Sequence, residues 1–480
     1  MEANEIAAKR RRRHKNCLFY ALFRGHCPRL LALFLSVMAP ICALAQTNQN
    51  AGTNIFSQPL SRADAVAVAL RQNNAILKGK AELRASYGIE VQLRSIALPQ
   101  LTAGGGYNYE QPTLIESFPL PSNLSSYIQF PNQNWNADVK VQQTIYAGGR
   151  INSAFRSAKL TREQALLNYQ ATLADTLLAV RVAYDDVLVA AQQMAVHEAS
   201  VQLLTHELED VQRRFAAGTL PQFDVLRAQV ELANERPRLI QARNDHRIGK
   251  DNLLNLLAVH LPKTMWEDVP LQLSDNLEAR PYEIDLPSAL AHALEKRPEL
   301  SALRKAQALR REDLVNAKSG YKPNAQVFGG YQWQSLPYEN NLSSDLSGWI
   351  AGAQLNWSIF DGQLTRGKIM EAKARYEQAR LDVDESGRQI ELEVRTAYSN
   401  FIEERELLES QKAVQEQAQE ALRLAEARHK AGTGTQLDVL SAQTALTQAR
   451  TTQVQALHDY AVARARLERA LGEDMEILQK

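Results

Sequence analysis

Cysteine is almost missing from this chain of 480 residues. The three that occur, Cys17, Cys27 and Cys42, all lie in the first 45 positions. Everything after them folds without disulfides. Catalytic patterns are missing as well. The nine histidines are scattered, with no pair at metal-ligand spacing on a helix. There is no Gly-rich phosphate loop ending in Lys-Ser/Thr, no nucleophile elbow and no zincin motif, and Gly104-Gly105-Gly106 lacks the dinucleotide-binding pattern. No catalytic residue, cofactor or metal is therefore expected, and an enzyme is the weakest reading. Glycine and proline are absent from the whole stretch Ile151 to Ala216.

The first 45 residues stand apart. Lys9-Arg10-Arg11-Arg12-Arg13-His14-Lys15 is a basic start, Leu30 to Met38 a short apolar run, and Ala43-Leu44-Ala45 a small-x-small cleavage site. This is the pattern of a secretory signal cut before Gln46. The apolar run is shorter than the ~20 residues that a membrane-spanning helix needs. Ile41 before Cys42 argues against lipidation. The segment carries eight Lys/Arg and two Asp/Glu, so its removal takes the formal charge from +1 to −5. A mildly acidic chain argues against nucleic acid, whose binders show basic stripes.

The chain repeats itself. Arg214-Phe215-Ala216-Ala217-Gly218-Thr219 and then Phe223-Asp224-Val225-Leu226 returns as Arg428-His429-Lys430-Ala431-Gly432-Thr433 and Leu437-Asp438-Val439-Leu440, an offset of 214. Ile145-Tyr146-Ala147-Gly148 matches Ile359-Phe360-Asp361-Gly362 at the same offset, whereas Gly105-Gly106-Tyr107 matches Gly329-Gly330-Tyr331 at 224. A ten-residue insertion therefore lies between Tyr107 and Tyr146, and loops absorb insertions cheaply. The layout expected is a signal at 1–45, a polar linker at 46–59, one repeat at 60–275 and a second at 276–476.

Each repeat holds one very long helix. Ile151 to Ala216 is rich in good helix formers and corresponds to roughly 100 Å of helix. Gln363 to Lys430 is its twin, interrupted only by Gly367 and Gly387. Leu173, Leu177, Val180, Tyr184, Val187, Ala191 and Met194 step by four and three, as in a coiled coil. A second stripe, including Leu178, Val182, Val189 and Val196, lies beside it. Two stripes mean neighbours on two sides, as in a closed cylinder of helices. Each long helix ends at Gly-Thr, where glycine suits a left-handed cap, and a return helix follows from Gln222 or Gln436. The helical hairpins are expected over 151–258 and 363–472, with a kink at Pro237.

Four segments alternate with period two instead. Leu101, Ala103, Gly105, Tyr107 and Tyr109 share one face of the first, and Trp135, Ala137, Val139 and Val141 one face of the second. The series around Tyr331 and Trp333, and around Trp349 to Trp357, repeat the pattern. Hairpins at 100–146 and 323–360, each with one apolar and one polar face, fit transmembrane barrel strands. Four strands cannot close a barrel in lipid, where the smallest need ~8, so the chain must assemble with copies of itself. A structural coiled coil without a pore is the competing class of function. It has no use for four amphipathic strands carrying Trp135, Trp333, Trp349 and Trp357.

In the order helix, strand hairpin, long helical hairpin, twice over, with the Gly-Thr tips and the Tyr146-Ala147-Gly148-Gly149 and Phe360-Asp361-Gly362 turns, the chain resembles the TolC family of outer-membrane channel-tunnel proteins. The resemblance covers about Leu60 to Glu476. It implies a mainly α fold with a small β part, in which the long hairpins of a homotrimer form an α-barrel joined to a twelve-stranded β-barrel in outer-membrane lipid. It also implies a periplasmic adaptor and an inner-membrane pump as partners, with export by efflux or type I secretion. Asp438, Ser441 and the first-copy equivalent Asp224 are the candidate pore constriction. Ala217, Gly218, Thr219 and Leu220, with Ala431, Gly432 and Thr433, are the candidate adaptor-docking tips. The family's turn often has proline where Thr144 and Ser358 stand here.

Overall fold

The computed structural model describes residues 58–111, 131–259, 268–336, 342–343 and 345–473. The signal segment with its cysteines and most of the longer strand connection lie outside them. Residues Gly52–Lys480 form one unit. Two short helices open each half: α1 (Arg62–Gln72) and α2 (Asn74–Arg94) first, α5 (Leu286–Lys296) and α6 (Pro298–Lys318) second. Strands β1 (Gln100–Tyr109) and β2 (Gln133–Ala147) lead into α3 (Arg150–Ala216) and α4 (Gln222–Leu256). Strands β3 (Asn324–Ser335) and β4 (Asp345–Asn356) lead into α7 (Leu364–Lys430) and α8 (Gln436–Leu471). Among the described residues the stranded part is four strands in a mainly helical fold, and the extra residues of the first half fall in the β1–β2 connection.

Local chemistry sets the boundaries. Ser61 and Asn73 cap α1 and α2 by accepting from Asp64 N and Ala75 N, and Asp285 does the same for α5. The strand-to-helix turns use left-handed backbone: Gly148 and Gly149 in the first half, Gly362 and the non-glycine Gln363 in the second. Asp361 Oδ2 accepts from Thr365 N at 2.8 Å and steadies the strained second turn. Strand β4 stops at Asn356, one residue before Trp357, whose Nε1 instead donates to Tyr321 O at 3.2 Å. Helix α4 continues through Pro237 as one element.

The sheet is antiparallel in the order β1-β2-β3-β4. Tyr107 faces Trp135, Val139 faces Tyr331, and Tyr331 faces Trp349. These residues share one apolar face, on which the Tyr331 ring lies 4.7 Å from Trp333 and 5.2 Å from Trp349. The opposite face is a polar ladder, including Lys140–Asp138 at 3.2 Å and Gln142 donating to Gln326. Trp349 is 84% exposed in the single chain.

Helices α3 and α7 run the full length. Near the sheet the row is α2, α3, α6, α7; farther away it is α4, α3, α8, α7. Two hydrophobic cores sit midway. One gathers Val180, Tyr184 and Val187 with Ala65, Leu253 and Leu271; the other gathers Phe401, Tyr460 and Leu467 with Ala293 and Ile390. Among the described residues no helix is long and apolar enough to cross a membrane.

The first core encloses a charge. Asp185 is 2% exposed and pairs with Arg62 at 2.5 Å. Burial still holds its carboxyl above the usual range, against the pull of Arg62. Beside it Tyr184 Oη donates to Leu60 O at 2.8 Å, and burial pushes that hydroxyl up to about 12. Arg62→Ala strands a buried carboxylate, so at neutral pH it should cost about 3 kcal/mol in unfolding of the detergent-solubilised protein. Because the folded pKa is raised, the ionised form is the destabilised one. The deficit relative to wild type should therefore shrink as pH falls through that raised value, and thermal melts along a pH series would show it.

Candidate functional site

The helical end far from the sheet holds every candidate site residue. Helices α3 and α7 end in the same motif. Gly218 and Gly432 both have φ of 76°, and Thr219 N donates to Arg214 O at 3.0 Å as Thr433 N does to Arg428 O at 2.9 Å. The threonine hydroxyls donate to the same carbonyls. This is the left-handed cap that the Gly-Thr spacing indicates. A Cβ at either glycine would meet nothing within 4 Å, so the backbone conformation, not crowding, calls for glycine. Ala217, Gly218, Thr219, Ala431, Gly432 and Thr433 are exposed and Leu220 is half-buried.

The return helices start differently. Thr435 and Asp438 form a capping box: Thr435 Oγ1 accepts from Asp438 N at 3.2 Å, and Asp438 Oδ2 accepts from Thr435 N at 2.9 Å. These bonds, with Thr435 first among the causes, hold the Asp438 carboxyl below its ordinary value. Asp438 and Ser441 are both exposed, one turn apart on the same helix face. The first hairpin has Pro221 at the cap position and no side-chain cap, so Asp224 caps nothing. Helix α3 lies between α4 and α8, so Asp224 and Asp438 are not on neighbouring helices.

Contacts between the two hairpins were not legible in the sequence. Arg214 Nη1 lies 3.2 Å from His429 Nε2, joining the two tips of one chain. Gln436 is buried and its Nε2 donates to Glu207. No periodic signal marks such pairs, because each partner comes from a different repeat.

The open edges complete the geometry. Strands β1 and β4 each have one unpaired side in the single chain. The outermost helices of the row also carry exposed apolar side chains: Ile89 and Val91 on α2 with Phe223, Val230 and Ile240 on α4 at one end of it, and Leu381 and Val414 on α7 at the other. The chain matches the outer membrane efflux protein family over residues 65–259 and 289–473. It belongs to that family. The outer membrane protein TolC of Vibrio cholerae is 24% identical over 447 residues, covering 92% of this chain and 95% of that protein. The alkaline protease secretion protein AprF of Pseudomonas aeruginosa is 24% identical over 308 residues, 63% of each chain. The solved outer-membrane channel OprN superposes with a TM-score of 0.72 at 20% identity, covering 87% of this chain and 91% of that one. The resemblance to the TolC family and the mainly helical fold with four strands are thus shown.

The caps carry a prediction of their own. Gly218→Ala and Gly432→Ala should each cost about 1 kcal/mol, the penalty for an L side chain in left-handed backbone. Hydrogen exchange should show the loss in the last turns of α3 and α7, with the mid-length cores still protected.

Proposed function

We propose that three copies of this chain form an outer-membrane export duct. Strand β4 of one copy pairs with β1 of the next, which closes twelve strands from three four-stranded sheets. The same closure brings α7 of one copy against α2 and α4 of its neighbour and covers their exposed apolar side chains. The helices then form a tunnel through the periplasm. Its tips, Ala217 to Leu220 and Ala431 to Thr433, meet a periplasmic adaptor that links the tunnel to an inner-membrane pump. The secretory signal delivers the chain across the inner membrane. Cargo leaves by efflux or by type I secretion.

One observation carries this reading: a sheet with an apolar aromatic face and two open edges is joined directly to the long helical hairpins. A structural coiled coil without a pore leaves that sheet unexplained. Ion conductance in planar bilayers together with a trimeric mass in detergent tests the proposal. A monomeric, non-conducting protein sinks it.

Asp438 and Ser441 line the constriction in this reading, with Asp224 outside the main ring. Asp438 is the N3 member of the capping box, where an amide oxygen can accept from Thr435 N as the carboxylate does, so Asp438→Asn removes charge and keeps the turn. It should weaken blockade by a trivalent cation roughly tenfold, since three carboxylates around one axis concentrate cations. Unchanged blockade would reject the constriction role. Ala431 has ordinary helical backbone, with φ of −80°, so Ala431→Trp and its counterpart Ala217→Trp test docking without backbone strain. Both should abolish adaptor crosslinking at the tips while leaving conductance intact; normal crosslinking with normal efflux rules the tips out.

A further inference from the structure

The two hairpins of one chain meet along α3 and α8, and this seam changes character along its length. Towards the sheet it is dense, with Arg181–Glu468 at 2.7 Å, Arg469–Asp175 at 2.6 Å and the two cores around them. Towards the tips it thins to separate polar pairs, Thr447 with Ser200 at 3.3 Å and Gln436 with Glu207, and at the very end Arg214 meets His429 of α7. A small apolar group of Leu204, Leu232 and Leu440 lies among them. His458 sits where the change occurs.

His458 Nε2 lies 2.7 Å from Asp186 Oδ1 on α3, and its Nδ1 lies 2.9 Å from Asp459 Oδ1 on α8. Its side chain is only 12% exposed. An ionised carboxylate accepts and does not donate, so both ring nitrogens must carry protons for both bonds to form. Gln455 extends the link: it donates to Asp459 at 2.9 Å and accepts from Gln193 of α3 at 2.9 Å. We propose that Asp186, His458 and Asp459 form a proton-operated latch that holds the two hairpins together and sets how freely the tip end of the tunnel opens. The inference rests on the duct reading above.

The surroundings favour an imidazolium. Helix α3 presents Arg181, Asp185 and Asp186, and Arg62 of α1 reaches the same place through its pair with Asp185. Helix α8 presents Asp459 and, farther along, Arg466 and Arg469; α7 presents Glu393, Glu403 and Glu404 across a groove of about 870 Å³ that the same residues line. Glu404 is held above its ordinary value by burial and by the charges of Asp459 and Glu403. The groove gives water a route to the latch.

Burial alone would lower the imidazole, but the hydrogen bonds and charges of Asp186 and Asp459 outweigh it and hold His458 above its ordinary value. The sign follows. A raised imidazole contributes fully below the unperturbed value of about 6.5 and loses its contribution as pH rises through the raised one. The neutral ring then keeps a single donor for two carboxylates, Asp186 across the seam and Asp459 beside it on α8.

Purified protein in planar bilayers, recorded from about pH 6 to about pH 9, should show open probability rising roughly tenfold, the equivalent of one pKa unit of coupling. His458→Gln should hold the high value, and His458→Lys the low value, across the range. Spin labels on cysteines placed at Gln212 and Ala427, in a segment with no native cysteine, read the separation of the hairpin ends directly. It should widen with pH in wild type and stay wide in His458→Gln. A conducting channel whose pH response survives in His458→Gln overturns the latch and leaves the duct standing. A protein that never conducts overturns the duct, and label distances that ignore pH then overturn the latch as well.

Discussion

Unpaired backbone groups at the sheet edges set the terms for everything else in this molecule. A hydrocarbon environment offers no hydrogen-bond partners, so each free N–H or C=O there costs several kcal/mol. The sheet has an apolar face built from Tyr107, Trp135, Tyr331 and Trp349, yet among the described residues it has four strands and therefore two open edges. No rearrangement within one chain closes it. Copies of the same chain can, and once they do, every helix leaving the sheet is fixed on the same circle. The helical row suits that position, since its outermost helices carry exposed apolar side chains that a neighbouring copy can cover. Sheet closure and helix packing are one constraint expressed at two levels.

The duplication makes this economical, because one repeat supplies two strands and one hairpin. Its copies have nevertheless diverged where they leave regular structure. Gly149 in the first strand-to-helix turn corresponds to Gln363 in the second, which holds the same left-handed backbone with support from Asp361. Pro221 opens one return helix and the Thr435–Asp438 box the other. A ring of three chains thus shows six tips of two alternating kinds. Any partner bound there must either read only the shared Gly-Thr turn or distinguish the two starts.

The sequence was legible wherever one residue type dictates backbone shape. The absence of glycine and proline over 151–216 foretold α3, period-two alternation foretold the four strands, and Gly218 and Gly432 foretold the caps. It was not legible where the deciding event was a meeting of distant residues. His458 with Asp186, Arg214 with His429 and Gln436 with Glu207 join different repeats, and nothing in the spacing of either partner betrays the other. Trp357 shows a subtler failure: it continued the alternation of β4 in sequence, but its indole found the Tyr321 carbonyl and left the strand. Asp224 and Asp438 show that equivalent positions need not be equivalent in role. Only Asp438 has a threonine three residues earlier, so only Asp438 is drawn into a cap.

The polar character of the α3–α8 seam needs its own explanation, because buried ion pairs add little net stability over apolar packing. Two straight helices packed through leucine alone could slide by a turn and recover most of their contacts. The pairs Arg181–Glu468 and Arg469–Asp175 resist this, since a one-turn slip parts them and, for the buried pair Arg181–Glu468, strands charge at a cost of about 3 to 5 kcal/mol. Register therefore matters more than strength here. In a tunnel wall that must stay aligned over a long helical span, the seam can be weak provided that its wrong alignments are weaker still. The stretch beyond His458, held by separate polar pairs and the small Leu204–Leu232–Leu440 group, is therefore where the hairpins can part at least cost.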